Sequence, residues 1–370
     1  MPNFYNYTEN GVVYSFDDVF VPADAFRQGN LWVWGRNPSG ELGTNNTSNT
    51  TTPVTTFAGG TNWKQVAIGY AVGFSVAIKT DGTLWTWGPN NVGQIGDNTS
   101  IFGTKYTPVT TFAGGTNWKQ VSSSGYQIAA IKTDGTLWTW GGNNAGQLGD
   151  NTTTNRSTPV TTFAGGTNWK QVSCGNQHTA AIKTDGTLWI WGRGDFGQLG
   201  DNTTTQKLTP VTTFAGGTDW KLVAGTFRST VAIKTNGTLW TWGDNSFGRL
   251  GDNTTTQRNT PVTTFAGGTN WKQQVAGGQY HIVAVKTDGT LWTWGYNGQG
   301  QLGDNTSTDR STPVTTFVGG INWKQVSSSA SQIAAVKTDG TLWTWGDGQS
   351  AQIGDNTTTS RSTPVTTFAG

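Results

Sequence analysis

Histidine and the sulfur-bearing residues are almost missing from this 370-residue chain, which holds two His, one Cys and one Met. A lone cysteine, Cys174, makes neither an internal disulfide nor a thiolate metal cluster, and it leaves the redox compartment open. Two histidines, without a His-Glu-x-x-His or Cys-x-x-Cys spacing, make no His-rich metal centre. Charge is also scarce. Charged residues are 12% of the chain, about half the usual share, and the formal net charge is only +2. With no basic or acidic run, the field that recruits nucleic acid or an anionic membrane is missing. No apolar run approaches the ~18 residues of a membrane-spanning helix. The opening Met1-Pro2-Asn3-Phe4-Tyr5-Asn6-Tyr7 has neither the basic nor the aliphatic region of a secretory signal. The expectation is no cofactor, no metal, no nucleic acid and no membrane insertion.

What the chain does have is glycine and aromatic rings: 53 Gly, 20 Trp, 16 Phe and 8 Tyr. With hydrophobic residues at only 33%, the aromatics must build the core. They recur with a period. Leu-Trp-x-Trp-Gly occurs seven times, with leucines at 31, 84, 137, 188, 239, 291 and 342, in steps of 51 to 53 residues. Each unit reads Asn-Trp-Lys-Gln-Val, a variable stretch, Ala-Ala-Ile-Lys-Thr-Asp-Gly, Thr-Leu-Trp-Thr-Trp-Gly, a Gly/Asn-rich loop, and Thr-Pro-Val-Thr-Thr-Phe-Ala-Gly-Gly. These are four short β-runs separated by turn chemistry. Asp-Gly or Asn-Gly pairs such as Asp134-Gly135 and Asn236-Gly237 join the second run to the third as tight hairpins. Alternation along Thr136-Leu137-Trp138-Thr139-Trp140 puts both tryptophans on one face and Leu137 and Thr139 on the other, so both faces require burial. Seven four-stranded sheets with two buried faces stack radially, and the expected fold is an all-β, seven-bladed β-propeller. The repeats occupy residues 31–370 and residues 1–30 form an N-terminal segment. Because the Trp-Lys strand occurs six times, five as Trp-Lys-Gln and once as Trp-Lys-Leu at Trp220, residues 12–16 are expected to close the ring beside the last Thr-Pro-Val-Thr-Thr-Phe strand, or to be donated to another subunit.

The Leu-Trp-Thr-Trp-Gly-x-Asn-x-x-Gly-Gln-Leu-Gly-Asp block, with its Pro-Val strand and the segment Gly175 to Ala181, resembles the regulator of chromosome condensation repeat family. The resemblance implies the same seven-bladed fold. The family's motif histidine is present only as His178 and His281; its equivalents are Phe74, Gln127, Ser229 and Gln332. Light-sensing members carry Gly-Trp-Arg-His-Thr where this chain has Gly175-Asn176-Gln177-His178-Thr179. Chromatin-bound nucleotide exchange is disfavoured by the absent basic tail and by repeats that run without an inserted wedge. The near-verbatim repeats and the opening Asp17-Asp18-Val19-Phe20-Val21 look like propellers predicted in marine bacteriophage genomes, which implies a virion surface role.

Catalytic chemistry has no visible carrier. No Gly-x-Ser-x-Gly elbow accompanies His178 or His281, both of which read as structural. Cys174 reads as a small packing group. The recurrent Gly-Asp-Asn-Thr loops read as turn caps rather than calcium ligands. Lys79, Lys132, Lys183, Lys234, Lys286 and Lys337 recur once per repeat and read as a solvated ring beside the turn acids.

If the strands alternate in direction, the invariant Asp-Gly and Phe-Ala-Gly-Gly turns share one face, and the variable stretches share the other. That variable face carries the candidate binding residues Tyr70, Phe74, Tyr126, Gln127, Gln177, His178, Phe227, Arg228, Tyr280, His281 and Gln332, with Arg36, Phe196, Phe247 and Tyr296 on the longer loops. Aromatics and arginine are the residues that anchor interfaces. The functional expectation is a non-enzymatic propeller on a phage virion, decorating the shell or attaching to a host, through a protein or surface glycan partner, other virion proteins or itself. An intracellular protein-interaction module and a self-assembling filament or surface protein are the alternatives.

Overall fold

The computed structural model describes residues 30–69, 73–99 and 102–367, and the backbone alone of Thr52, Pro53, Lys272 and Gln273. Among these residues there are six four-stranded antiparallel sheets and one two-stranded sheet, the seven blades of a propeller. Blade three is representative. Its strands are Trp118–Ser124, Gln127–Lys132, Leu137–Gly141 and Arg156–Thr161, each paired with its sequence neighbour. The first blade shows its third and fourth strands, Trp32–Gly35 and Thr50–Thr55. The closing strand expected at residues 12–16 lies outside the described residues. In the six complete sheets, the Trp-Lys strand pairs with its own hairpin partner, and the Thr-Pro-Val strand is an outer edge.

The alternation along Leu-Trp-x-Trp explains the stacking. In blade three Trp140 packs in the cluster shared with blade two, while Leu137 packs in the cluster shared with blade four. Every cluster bridges consecutive blades, and one joins Ala334 and Val336 of blade seven to Val33 and Trp34 of blade one and Trp63 of blade two. The ring is closed. The burial is not distributed as the motif alone implies. The second tryptophan of each motif is fully buried, whereas the first is half-buried, and the tryptophan of Trp-Lys-Gln supplies the remaining core ring. Within each complete blade this inner indole meets both others at 6.1–6.4 Å, edge-on except for the tilted Trp118–Trp140 pair; offset and edge-to-face geometries are those the aromatic quadrupole favours.

Neighbouring blades are latched by one recurrent contact. The buried Trp Nε1 donates to a main-chain carbonyl of the preceding blade's Gly-Gln-Leu-Gly loop: Trp140 to Gln94 at 3.1 Å, Trp191 to Gln147 at 3.0 Å, Trp242 to Gln198 at 2.9 Å. The last glycine of that loop lies flat against the same indole. Gly43, Gly96, Gly149, Gly200, Gly251, Gly303 and Gly354 have φ between +62° and +71°, and a Cβ on any of them would stand 2.6–2.8 Å from the indole nitrogen. Gly354 meets Trp34, so the same device seals blade seven to blade one. Nearer the axis, side-chain amides replace a ladder between sheets: Gln65 donates to the Val121 carbonyl at 2.6 Å and accepts from its N–H at 3.1 Å, and Gln171 does the same with Val223. Gly149→Ala combines a left-handed backbone with a clash against Trp191 and should cost about 2–4 kcal/mol. Gly165→Ala, at φ +54° with nothing within 4 Å, should cost about 1 kcal/mol. Urea unfolding of the two variants checks this, and equal losses would remove the latch from the account.

Candidate binding face

Antiparallel pairing sends alternate turns to opposite ends, and the two ends are built differently. At the invariant end, the Asp134 carboxylate accepts from the Thr136 N–H and hydroxyl at 2.9 and 2.7 Å, and Trp138 Nε1 donates to that hydroxyl at 3.0 Å. Only the glycine of the hairpin pair has positive φ, +80° at Gly135. Lys132 Nζ rests 4.7 Å from both the Trp118 and Trp138 rings. The same sandwich holds Lys79, Lys183, Lys234, Lys286 and Lys337, with ring distances of 4.3–5.2 Å. The lysines read as a solvated ring are instead half-buried caps on the indole core, held by cation–π attraction. The turn acids of the loops are engaged as caps: Asp150 accepts from Thr152 and pairs with Arg156 at 2.7 Å.

At the other end, the loop after each first strand is tied to the loop after the third, through Tyr126 O to Gly142 N, Gln177 O to Arg193 N, Arg228 O to Asp244 N and Tyr280 O to Tyr296 N, at 2.7–3.0 Å. The variable stretches do share one face. Four candidate residues are nevertheless inside the fold. Phe74, Gln127, His178 and His281 are buried, because strand alternation at this position aims the side chain at the next blade. Gln127 donates to the Gly175 carbonyl at 2.6 Å, His178 Nε2 meets Thr230 Oγ1 at 3.1 Å, and His281 Nε2 meets Ser328 Oγ at 2.7 Å. They are struts between blades rather than contact residues. Cys174 is likewise buried, and burial pushes its thiol up to about 12, away from reactivity. Tyr70 lies outside the described residues. Arg36 is exposed on the first blade, and Tyr126 on blade three and Gln332 on blade seven are half-buried and apart from the cluster described next.

The remaining candidates converge on blades four to six. Phe247 meets Tyr280 at 5.4 Å and Tyr296 at 4.9 Å, and Phe227 meets Tyr280 at 5.7 Å. Arg228 lies over Phe196 at 4.2 Å and over Phe227 at 4.9 Å. Gln177 accepts from Arg193 at 2.7 Å, and Arg193 holds Asp195 through both oxygens. Beneath this ridge is a residue that the sequence reading passed over. Arg249, 1% exposed, occupies the glutamine position of Gly-Gln-Leu-Gly; it donates to the Gln279 carbonyl at 3.1 Å, pairs with Asp244 at 3.1 Å and supports the Tyr280 ring at 4.5 Å. Burial lowers its pKa to about 10, Asp244 and Tyr280 oppose that shift, and neighbouring Arg228 adds to it. The signal available in the sequence was Arg at position 249, where five repeats carry Gln and the first carries Glu41, together with Asp244 in the same loop. Phe247 itself has φ +64°, an uncommon backbone for a bulky residue, and is 41% exposed.

The chain matches the RCC1-like domain over residues 23–265 and 73–369. The ultraviolet-B receptor UVR8 of Arabidopsis thaliana is 30% identical over 337 residues, 90% of this chain and 76% of that protein. The human E3 ubiquitin-protein ligase HERC2 is 27% identical over 292 residues, which are 75% of this chain and 6% of the ligase. The solved structure of Prp20p from Saccharomyces cerevisiae, described with its binding properties to Gsp1p and histones, shares the fold with a TM-score of 0.79 at 19% identity, over 95% of this chain and 87% of that one.

Two measurements follow from this geometry. Arg249→Gln leaves Asp244 buried without its cation and should cost about 3 kcal/mol; adding Asp244→Gly, which restores the pattern of blade three, should recover most of that in denaturant unfolding. An unrecovered double variant would show that the pair is not what holds the loop. The histidines set a pH dependence. Burial holds both near pKa 3, against 6.5 when unfolded. Below pH 6.5 the unfolded chain takes up protons that the fold refuses, so stability falls with pH by about 1.4 kcal/mol per unit for each histidine. Asp134 and its counterparts, lowered from 3.8 chiefly by threonine hydrogen bonds, lose their contribution only at lower pH. His178→Gln with His281→Gln should flatten the slope between pH 6 and about 4.5; an unchanged slope would refute it.

Proposed function

The chain belongs to the RCC1-like domain family, and from that premise we propose that it is a non-enzymatic protein-binding module that grips its partner through the aromatic and arginine ridge of blades four to six. The observation that carries this reading is the convergence of Phe196, Phe227, Arg228, Phe247, Tyr280 and Tyr296 into one set of touching rings and guanidiniums. Three blades supply them, from loops that vary while the scaffold repeats. A rigid scaffold presenting such loops is a common arrangement for recognition, and partly exposed Tyr, Phe and Arg are the groups that dominate interface energetics. The left-handed backbone of Phe247 adds to this, since strain at a bulky residue on a variable loop is the kind that function maintains. UVR8, HERC2 and Prp20p support a binding role at the level of the family.

The location we propose is the surface of a phage particle, a reading that rests on the near-verbatim repeats and the sparse charge. Affinity capture with the full chain should retain a protein that Phe247→Ala combined with Tyr280→Ala releases and that Phe163→Ala, on the opposite face, keeps. Capture indifferent to the ridge variant would move the site elsewhere. Mass spectrometry of purified particles from the source sample should find the chain beside capsid proteins; its confinement to cell lysate would favour an intracellular module.

A further inference from the structure

We infer that Arg228 is an anion subsite at the centre of the ridge, and that the partner segment it receives presents an aspartate or glutamate side chain. The inference rests on the ridge being the partner-binding surface. Of the eight arginines in the described residues, six pair with an aspartate: Arg156, Arg193, Arg249, Arg258, Arg310 and Arg361. Arg36 is exposed to solvent. Arg228 differs from all of these. It is half-buried, its guanidinium rests on the Phe196 and Phe227 rings, and its Nε is covered without a hydrogen-bond acceptor. Among the described residues no carboxylate meets it.

A guanidinium removed from water on its flat sides and left with unspent donors is destabilising until an acceptor arrives. Contact with two rings limits the freedom the guanidinium has to lose on binding, and a planar carboxylate is an acceptor whose geometry matches its fork. The surrounding charge selects a monoanion over a phosphate. Arg193 and Arg249 flank Arg228 but are already neutralised by Asp195 and Asp244, so the site has one cation to spare and two carboxylates nearby. A dianion would meet too little positive charge there. The Tyr280, Phe247 and Tyr296 rings, which continue from Phe227 under Arg228, suit apolar neighbours of that acidic residue in the same peptide.

The probe is a displayed library of random peptides, selected on the immobilised full chain and, in parallel, on the Arg228→Gln and Phe247→Ala variants. The expected result is enrichment on the wild-type chain of peptides with Asp or Glu at one position beside apolar residues, with that acidic preference lost on Arg228→Gln. Matched synthetic peptides with Glu or Gln at that position should differ in affinity by about tenfold or more, and Arg228→Lys should retain only part of the difference. Peptides that depend on Phe247 but show no acidic position would overturn the subsite and leave the ridge as the binding surface. An acidic preference unchanged by Arg228→Gln would also overturn it. A phosphoserine peptide binding more tightly than the Glu peptide, and depending on Arg228, would replace the carboxylate with a phosphate. No enrichment that depends on either residue would overturn the subsite and the binding ridge together.

Discussion

The contact on which the rest of this molecule depends is the indole of one blade lying against the glycine of the blade before it. Each buried tryptophan presents a flat face and one N–H donor. The preceding loop must therefore bring a carbonyl to the nitrogen and backbone without a Cβ to the ring, which is what Gln-Leu-Gly supplies at positive φ. A side chain at that glycine would push the blades apart. Because Gly354 meets Trp34 as Gly149 meets Trp191, the constraint passes around the ring and returns to its start.

This constraint accounts for which residues repeat and which drift. The inner tryptophan, the half-buried tryptophan beside it and the lysine over both form a box at one end of each blade, and the glutamine amides and buried His, Gln and Phe positions brace the first strands against one another. Each of these touches a neighbouring blade or strand of identical design, and the tryptophans and lysine tolerate little change. The loops at the opposite end touch mainly one another, and there the repeats diverge. The divergence gathers into one aromatic cluster where the loops of three blades meet. Asp244 and Arg249 hold blade five's loop in a conformation its sister loops do not adopt, Phe247 rises from it, and Tyr280 and Tyr296 close against it.

The fold was legible because its determinants are local and repeated: period-two alternation, Asp-Gly turns and seven copies of Leu-Trp-x-Trp. The constant and variable ends were legible as well, since antiparallel strands must alternate. The side chains at those ends were harder to place. Phe74, Gln127, His178 and His281 lie at variable positions, yet the pleat turns them inward toward the next blade, and one repeat's sequence says nothing of how that neighbour is rotated. The lysines were misjudged for the same reason: the two indoles that enclose Lys132 come from strands on either side of it, and their meeting at the nitrogen depends on the twist of the sheet.

By itself, then, the sequence determined the strand pattern, the number of blades and the aromatic core, because composition and periodicity act through neighbours along the chain. Only the tertiary structure decided that Arg228 stands between Phe196 and Phe227 while Arg249 is committed to Asp244. Arg228 meets Phe196 and Arg249 meets Tyr280 across blade boundaries, and contacts between residues so far apart in the chain follow from how the blades pack, not from local pattern.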